Sequence, residues 1–149
     1  MAAYIISIDQ STQGTKALLF DETGTIVRRT DCAHRQIVNE KGWVSHDPEE
    51  IYRNVLTVVS KLLEGIDANC VVGVGISNQR ETTVAWNKIT GKPYGNAVVW
   101  QCARATKICE RESIVLMADA IQKKTGMKLS PYFPDAKLAW ILENEEGAK

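Results

Sequence analysis

Ile8-Asp9-Gln10-Ser11-Thr12-Gln13-Gly14-Thr15-Lys16-Ala17-Leu18-Leu19-Phe20-Asp21 decides how this chain folds. An apolar run from about Tyr4 ends on the acid Asp9, passes through polar and flexible residues, and resumes from about Ala17 to Phe20 as a second apolar run. Two short apolar runs separated by a turn composition predict adjacent antiparallel strands. Asp21-Glu22-Thr23-Gly24 repeats the turn signal, and Ile26 and Val27 open a third strand, so the chain begins as a meander.

Outward from this start, Asp47-Pro48-Glu49-Glu50 carries an N-cap, a proline at the first helical position and the acid of a capping box. Ile51, Val55, Val58, Val59 and Leu62 then recur at helical spacing, with Gly65 near the expected end. Cys70 to Ser77 reads as a strand, Thr82 to Asn87 as another, and a short run ends at Trp100. Helical composition follows around Arg104 to Glu112, Met117 to Lys123 and Asp135 to Asn144. Strands, a helix, strands and then helices define an α/β fold that starts with a meander instead of repeated strand-helix crossovers. No repeat, low-complexity tract or flexible linker divides it.

With 149 residues, 44% of them hydrophobic and 24% charged, the chain has the composition of a globular domain. Eighteen basic residues balance eighteen acidic ones, which removes any long-range field for nucleic acid or an anionic membrane. An anion site must therefore be local. Cys32, Cys70, Cys102 and Cys109 form no CxxC pair, and only His34 and His46 could join them on a metal. They read as reduced structural thiols. No secretory signal pattern or run of membrane-spanning length is present, so a soluble cytoplasmic protein is expected.

The turn between the first two strands has the chemistry of a phosphate cradle. Ser11, Thr12, Gln13, Gly14, Thr15 and Lys16 offer backbone N–H groups, hydroxyls, a close-approach glycine and a cation. Asp9 at the strand end could hold Mg2+ through water, since magnesium keeps several of its own waters. Neither GxxxxGK[ST] nor GxGxxG is present, and the same composition suits an ordinary hairpin loop. Further along, Arg80 can donate to hydroxyl oxygens and Glu81 can accept from hydroxyl hydrogens, a pair able to read a vicinal diol. Neighbours in a strand point to opposite faces, so both serve one pocket only if the chain bends there. Trp100 could cover a carbon backbone and Tyr132 could add a hydroxyl contact. Taken singly, these residues fit a surface ion pair, a core tryptophan and a packing tyrosine better than a site.

IDQSTQGTKALLFD resembles the first phosphate hairpin of the actin-like superfamily of sugar kinases. GWVSHDP, GISNQRETTVAWNKITGKP, AVVWQCARA and TGMKLSPYF resemble glycerol kinases of the FGGY carbohydrate kinase family, in the family order over nearly the whole chain. The resemblance implies a ribonuclease-H-like (actin-like ATPase) α/β domain, an antiparallel three-strand meander in a mixed sheet flanked by helices. It implies ATP and Mg2+ as cofactors and a small polyol, glycerol, as partner. Thr12, Gln13, Gly14 and Lys16 would hold the nucleotide phosphates, Asp9 the metal, and Arg80, Glu81, Trp100 and Tyr132 the polyol.

Among the changes that distinguish this hairpin from the common DQGTTSSR, Ser11 replaces a glycine, Gln13 a threonine and Lys16 an arginine, and further on Ala103 stands where arginine is frequent. Lysine keeps the charge and loses the two-pronged grip. The family's base, an aspartate in Gly-Asp-Gln, and its adenosine domain lie beyond the aligned region. Residues 1–149 are therefore expected to be the N-terminal part of FGGY domain I, with little kinase activity alone. Homo-oligomerisation is compatible with the family. Xylulose or another polyol as substrate, a non-catalytic polyol- or protein-binding domain, and an actin- or chaperone-like ATPase are the competing readings.

Overall fold

A computed structural model describes residues 3–149. In chain order the strands are β1 (Tyr4–Gln10), β2 (Gly14–Phe20), β3 (Ile26–Ala33), β4 (Ile37–Val38), β5 (Val44–His46), β6 (Val71–Asn78) and β7 (Ala97–Val98). The helices are α1 (Pro48–Leu62), α2 (Thr106–Cys109), α3 (Glu112–Val115), α4 (Ala118–Thr125) and α5 (Pro134–Asn144). They form two units, one comprising the chain up to Arg35 with Glu49–Gln79, the other Gln36–Pro48 with Arg80–Lys149.

The first unit holds a four-stranded sheet in the order β3-β2-β1-β6. The meander is antiparallel, and β6 joins β1 in parallel after the chain crosses over through α1. Alternation in β1 sends Ile6, Ile8 and Gln10 inward, while in β2 it sends Thr15, Ala17 and Leu19 inward. Val58 and Leu62 of α1 close this core. The helix is also tied at its C-terminal end, where carbonyls lack intrahelical donors. Arg28 Nη1 donates to the Leu62 and Glu64 carbonyls at 2.8 and 2.7 Å, and Thr30 Oγ1 donates to the Val58 carbonyl at 2.8 Å. A cation at this pole also complements the helix dipole. Gly65, at φ +73°, supplies the left-handed turn that lets the chain leave.

The Asp21 turn forms as its composition predicts. Asp21 Oδ1 accepts from the Thr23 and Thr25 N–H groups and the Thr23 hydroxyl, which holds its carboxyl below the usual aspartate range.

The second unit contains a small antiparallel sheet, β4-β5-β7. One cluster gathers Val98, Cys102 and Ile141 with Trp43 and Trp140, and another gathers Ala105, Ile108, Cys109 and Ala136. Arg104 is buried with its guanidinium over both tryptophan rings, 5.2 Å from Trp43 and 4.9 Å from Trp140. It donates to the Val44 carbonyl at 3.0 Å, to Ser45 Oγ at 2.5 Å and to Cys102 Sγ at 3.1 Å. Trp43 and Cys102 thus serve packing here.

Two expectations need correction. Thr82 to Asn87 is not a strand: it makes single bridges, Thr83 to Val98 and Trp86 to Pro93, because Asn87 folds the chain back. Its side chain accepts from the Ile89 and Thr90 N–H groups, and its carbonyl from Gly91. The helix expected over Arg104 to Glu112 is broken into α2 and α3 by Arg111, whose backbone is extended and whose guanidinium forks onto Glu143 at 2.7 and 2.6 Å. Strands β4 and β5 were too short to leave a periodic signal.

All four cysteines are free, and burial with the nearby charges of Asp135 and Glu110 pushes the Cys109 thiol up, away from nucleophilic use. Among the described residues no helix is long and apolar enough to cross a membrane.

Candidate functional site

Two groups of side chains, one in each unit, carry the candidate chemistry. The first is the β1–β2 hairpin. Ser11 closes it by donating to the Gly14 carbonyl from its N–H at 2.8 Å and from its hydroxyl at 3.0 Å. The backbone of Ser11 avoids positive φ, so serine fits here without strain. Gly14 is constrained differently: a Cβ would lie 2.6 Å from the Cys32 carbonyl oxygen and 3.0 Å from Ala33 Cα. Only glycine permits β3 to approach that closely.

Ser11, Gln13, Gly14 and Lys16 line a pocket of about 140 Å³ with Asp31 and Cys32. Thr12 sits half-buried in the same turn, outside that lining. Lys16 is exposed and lies across from Asp9 on one side and Asp31 on the other, all on the face opposite the core. An uncommitted ammonium between two acids can move to a phosphate with little reorganisation of the fold.

Asp9 is half-buried at the end of β1, and no group of three His, Cys, Asp or Glu able to cage a metal occurs among the described residues. A lone carboxylate of this kind fits a hydrated magnesium ion held through its waters, not an all-protein site.

The second group lies in the other unit. Here the chain does turn at Arg80 and Glu81. Glu81 has φ +64°, unique among the described non-glycine residues. A glutamate in the left-handed region costs about 1 kcal/mol and persists where surrounding structure imposes it. That structure is visible on the C-terminal side. Thr83 and Val98 exchange backbone hydrogen bonds at 3.0 and 2.8 Å, and the Trp100 N–H donates to Thr82 Oγ1 at 3.3 Å.

The Trp100 and Tyr132 rings meet edge to face with centroids 6.2 Å apart, and Tyr132 is 43% exposed. Thr82, the residue after Glu81, is bonded to Trp100, whose ring meets Tyr132, so Glu81 and the exposed Arg80 directly precede in the chain the residue that holds this aromatic pair. An acceptor, a cation and an apolar aromatic wall suit a small polyhydroxy compound.

One residue near this group escaped the sequence reading. Lys137 in α5 is fully buried, and its Nζ donates to the Tyr132 carbonyl and, at 3.4 Å, to that of Phe133. Burial pushes its ammonium below the usual lysine range, and the Glu81 charge is the largest influence opposing this. The available signal was a lysine four residues before Ile141, on the buried side of a helix.

A mixed sheet opened by an antiparallel hairpin with a polar, glycine-containing turn is the architecture of the actin-like ATPases. The sequence profile of the FGGY family of carbohydrate kinases, N-terminal domain, matches residues 4–149, and the chain belongs to that family. Glycerol kinase 1 of Thermotoga maritima is 49% identical over 148 residues, covering 98% of this chain and 30% of that relative. The crystal structure of Plasmodium falciparum glycerol kinase with ADP superposes with a TM-score of 0.83 at 37% identity, over 97% of this chain and 29% of that one. Ligand-bound xylulose kinase from Lactobacillus acidophilus gives 0.83 at 27% identity, over 95% and 28%. The chain spans about 30% of the length of the curated relatives it matches.

Proposed function

We propose that this chain is the N-terminal part of domain I of an ATP-dependent polyol kinase that transfers the γ-phosphoryl group of ATP to glycerol. Its hairpin holds phosphate oxygens through Thr12, Gln13, the Gly14 backbone and Lys16, with Asp9 toward a hydrated Mg2+. The metal, when bound, neutralises charge on the phosphates. Glu81 accepts from polyol hydroxyls, Arg80 donates to them, Trp100 covers the carbon chain, and Tyr132 adds a wall and a hydroxyl. Positioning and charge neutralisation are most of what phosphoryl transfer asks of a protein. No general base is assigned within these residues, so turnover requires one from elsewhere in the protein.

The observation that carries this reading is the left-handed Glu81 immediately before Thr82, which binds Trp100 of the Trp100–Tyr132 pair, because backbone strain of this kind clusters where a side chain is placed for a ligand. Glycerol is preferred over a sugar by the 37% identity to the superposed glycerol kinase, against 27% to the superposed xylulose kinase.

Glycerol and xylulose titrated into the chain, followed by heteronuclear NMR, test the assignment. Glycerol is expected to bind more tightly and to shift Glu81, Trp100 and Tyr132, with E81Q weakening it roughly tenfold, as expected for loss of a charge-assisted hydrogen bond. Tighter binding of xylulose would move the reading to the other substrate, and glycerol binding unaffected by E81Q would remove the assigned site.

A further inference from the structure

Lys137 is buried where a lysine has no ordinary reason to be. Its side chain is fully inaccessible, yet among the described residues it has no ion-pair partner within salt-bridge distance. A buried ammonium without a contacting carboxylate is costly, and methionine would fill similar volume without that cost. The groups around it explain its presence better than packing does. Its Nζ holds the carbonyls of Tyr132 and Phe133, the last two residues before α5, and lies 5.7 Å from the Tyr132 ring centroid. The loop it ties carries the ring that meets Trp100. Glu81, Asp135, Cys102 and Cys109 surround it electrostatically, and Glu81 leads the influences that favour its charged form.

The geometry points to Lys137 as a positioning residue for the polyol group: it fixes the Tyr132 ring against Trp100 through the loop carbonyls. This rests on the polyol-kinase reading for its ligand, though the tether itself does not. A lysine kept only for stability would behave differently, because its loss would disturb the whole packed unit instead of the Tyr132 loop and the ring it carries.

The experiment compares the chain with its K137M and K137R variants by thermal melting, by amide shifts, by the nuclear Overhauser effect between the Trp100 and Tyr132 rings, and by glycerol titration. K137M leaves the Tyr132 and Phe133 carbonyls without their donor and is expected to melt lower while still folding, to lose the ring contact, and to bind glycerol roughly tenfold more weakly. K137R should restore part of both. Retention of the ring contact and of glycerol affinity in K137M overturns the proposal. So does a K137M chain whose amide shifts change throughout the second unit instead of around Tyr132 and Trp100, since that marks a purely structural lysine.

If the unsubstituted chain binds no glycerol while K137M still folds and loses the ring contact, the positioning role stands and the polyol reading falls. If K137M does not fold, the scalar coupling from Lys137 Nζ to the Tyr132 carbonyl carbon in the unsubstituted chain decides: its presence supports the tether and its absence overturns it.

Discussion

The turn at Ser11–Gly14 and the turn at Arg80–Glu81 do comparable work by opposite means. The first is held by its own backbone and by close approach of the neighbouring strand, and its one position that departs from a family glycine, Ser11, sits in relaxed geometry. The second forces a glutamate into the left-handed region and holds it there through the Thr83–Val98 bridge, with the Thr82–Trp100 bond beside it. A locally built turn tolerates side-chain exchange provided its glycine contact survives. A turn imposed from outside trades stability for placement of one side chain.

The contrast can be broken most forcefully at Gly14. Gly14→Ala places a methyl against backbone atoms that cannot move independently, and a loss of about 1–3 kcal/mol is expected by urea unfolding. No loss would show that β2 and β3 are not locked at this point. Glu81→Gly should act in the other sense, raising stability by about 0.5–1 kcal/mol through relief of the left-handed strain while weakening glycerol binding. A fall in stability would mean that the turn is not strained.

Ser11→Gly removes one hydroxyl bond to the Gly14 carbonyl and should cost less than about 1 kcal/mol, with phosphate binding retained. The smallest effect is a pH dependence away from both turns. The Asp21 and Glu143 carboxyls are held below their ordinary values, Asp21 by the Thr23 hydroxyl and Glu143 by its bond to Arg111. Their folded forms bind protons less readily than the unfolded chain, so their contribution is full above the ordinary carboxylate range. It is lost as pH falls through the lowered values. R111A should remove the Glu143 part of that acid slope, as read by urea midpoints across acidic pH.

How far the sequence reached depends on how local each cause was. The meander, α1 with its proline start, and the hairpin residues Ser11 to Lys16 were legible because alternation, turn chemistry and capping act between near neighbours. Glu81 was legible only in part: adjacency to Arg80 demanded a bend, but the positive φ comes from pairing with residues near Val98. Lys137 and the break at Arg111 were hidden because their partners, Tyr132 and Glu143, are brought to them by the fold. The Thr82–Asn87 run failed for a related reason, since its β-prone residues are overruled by the Asn87 turn.

The most direct test of the central claim is a single heteronuclear NMR titration of the chain with Mg2+·ATP and then with glycerol. The nucleotide is expected to shift the Ser11–Lys16 amides, and glycerol the resonances of Glu81, Trp100 and Tyr132. If the nucleotide leaves the hairpin unmoved, or glycerol perturbs residues elsewhere and spares these three, the assignment of the two groups to phosphate and polyol is contradicted.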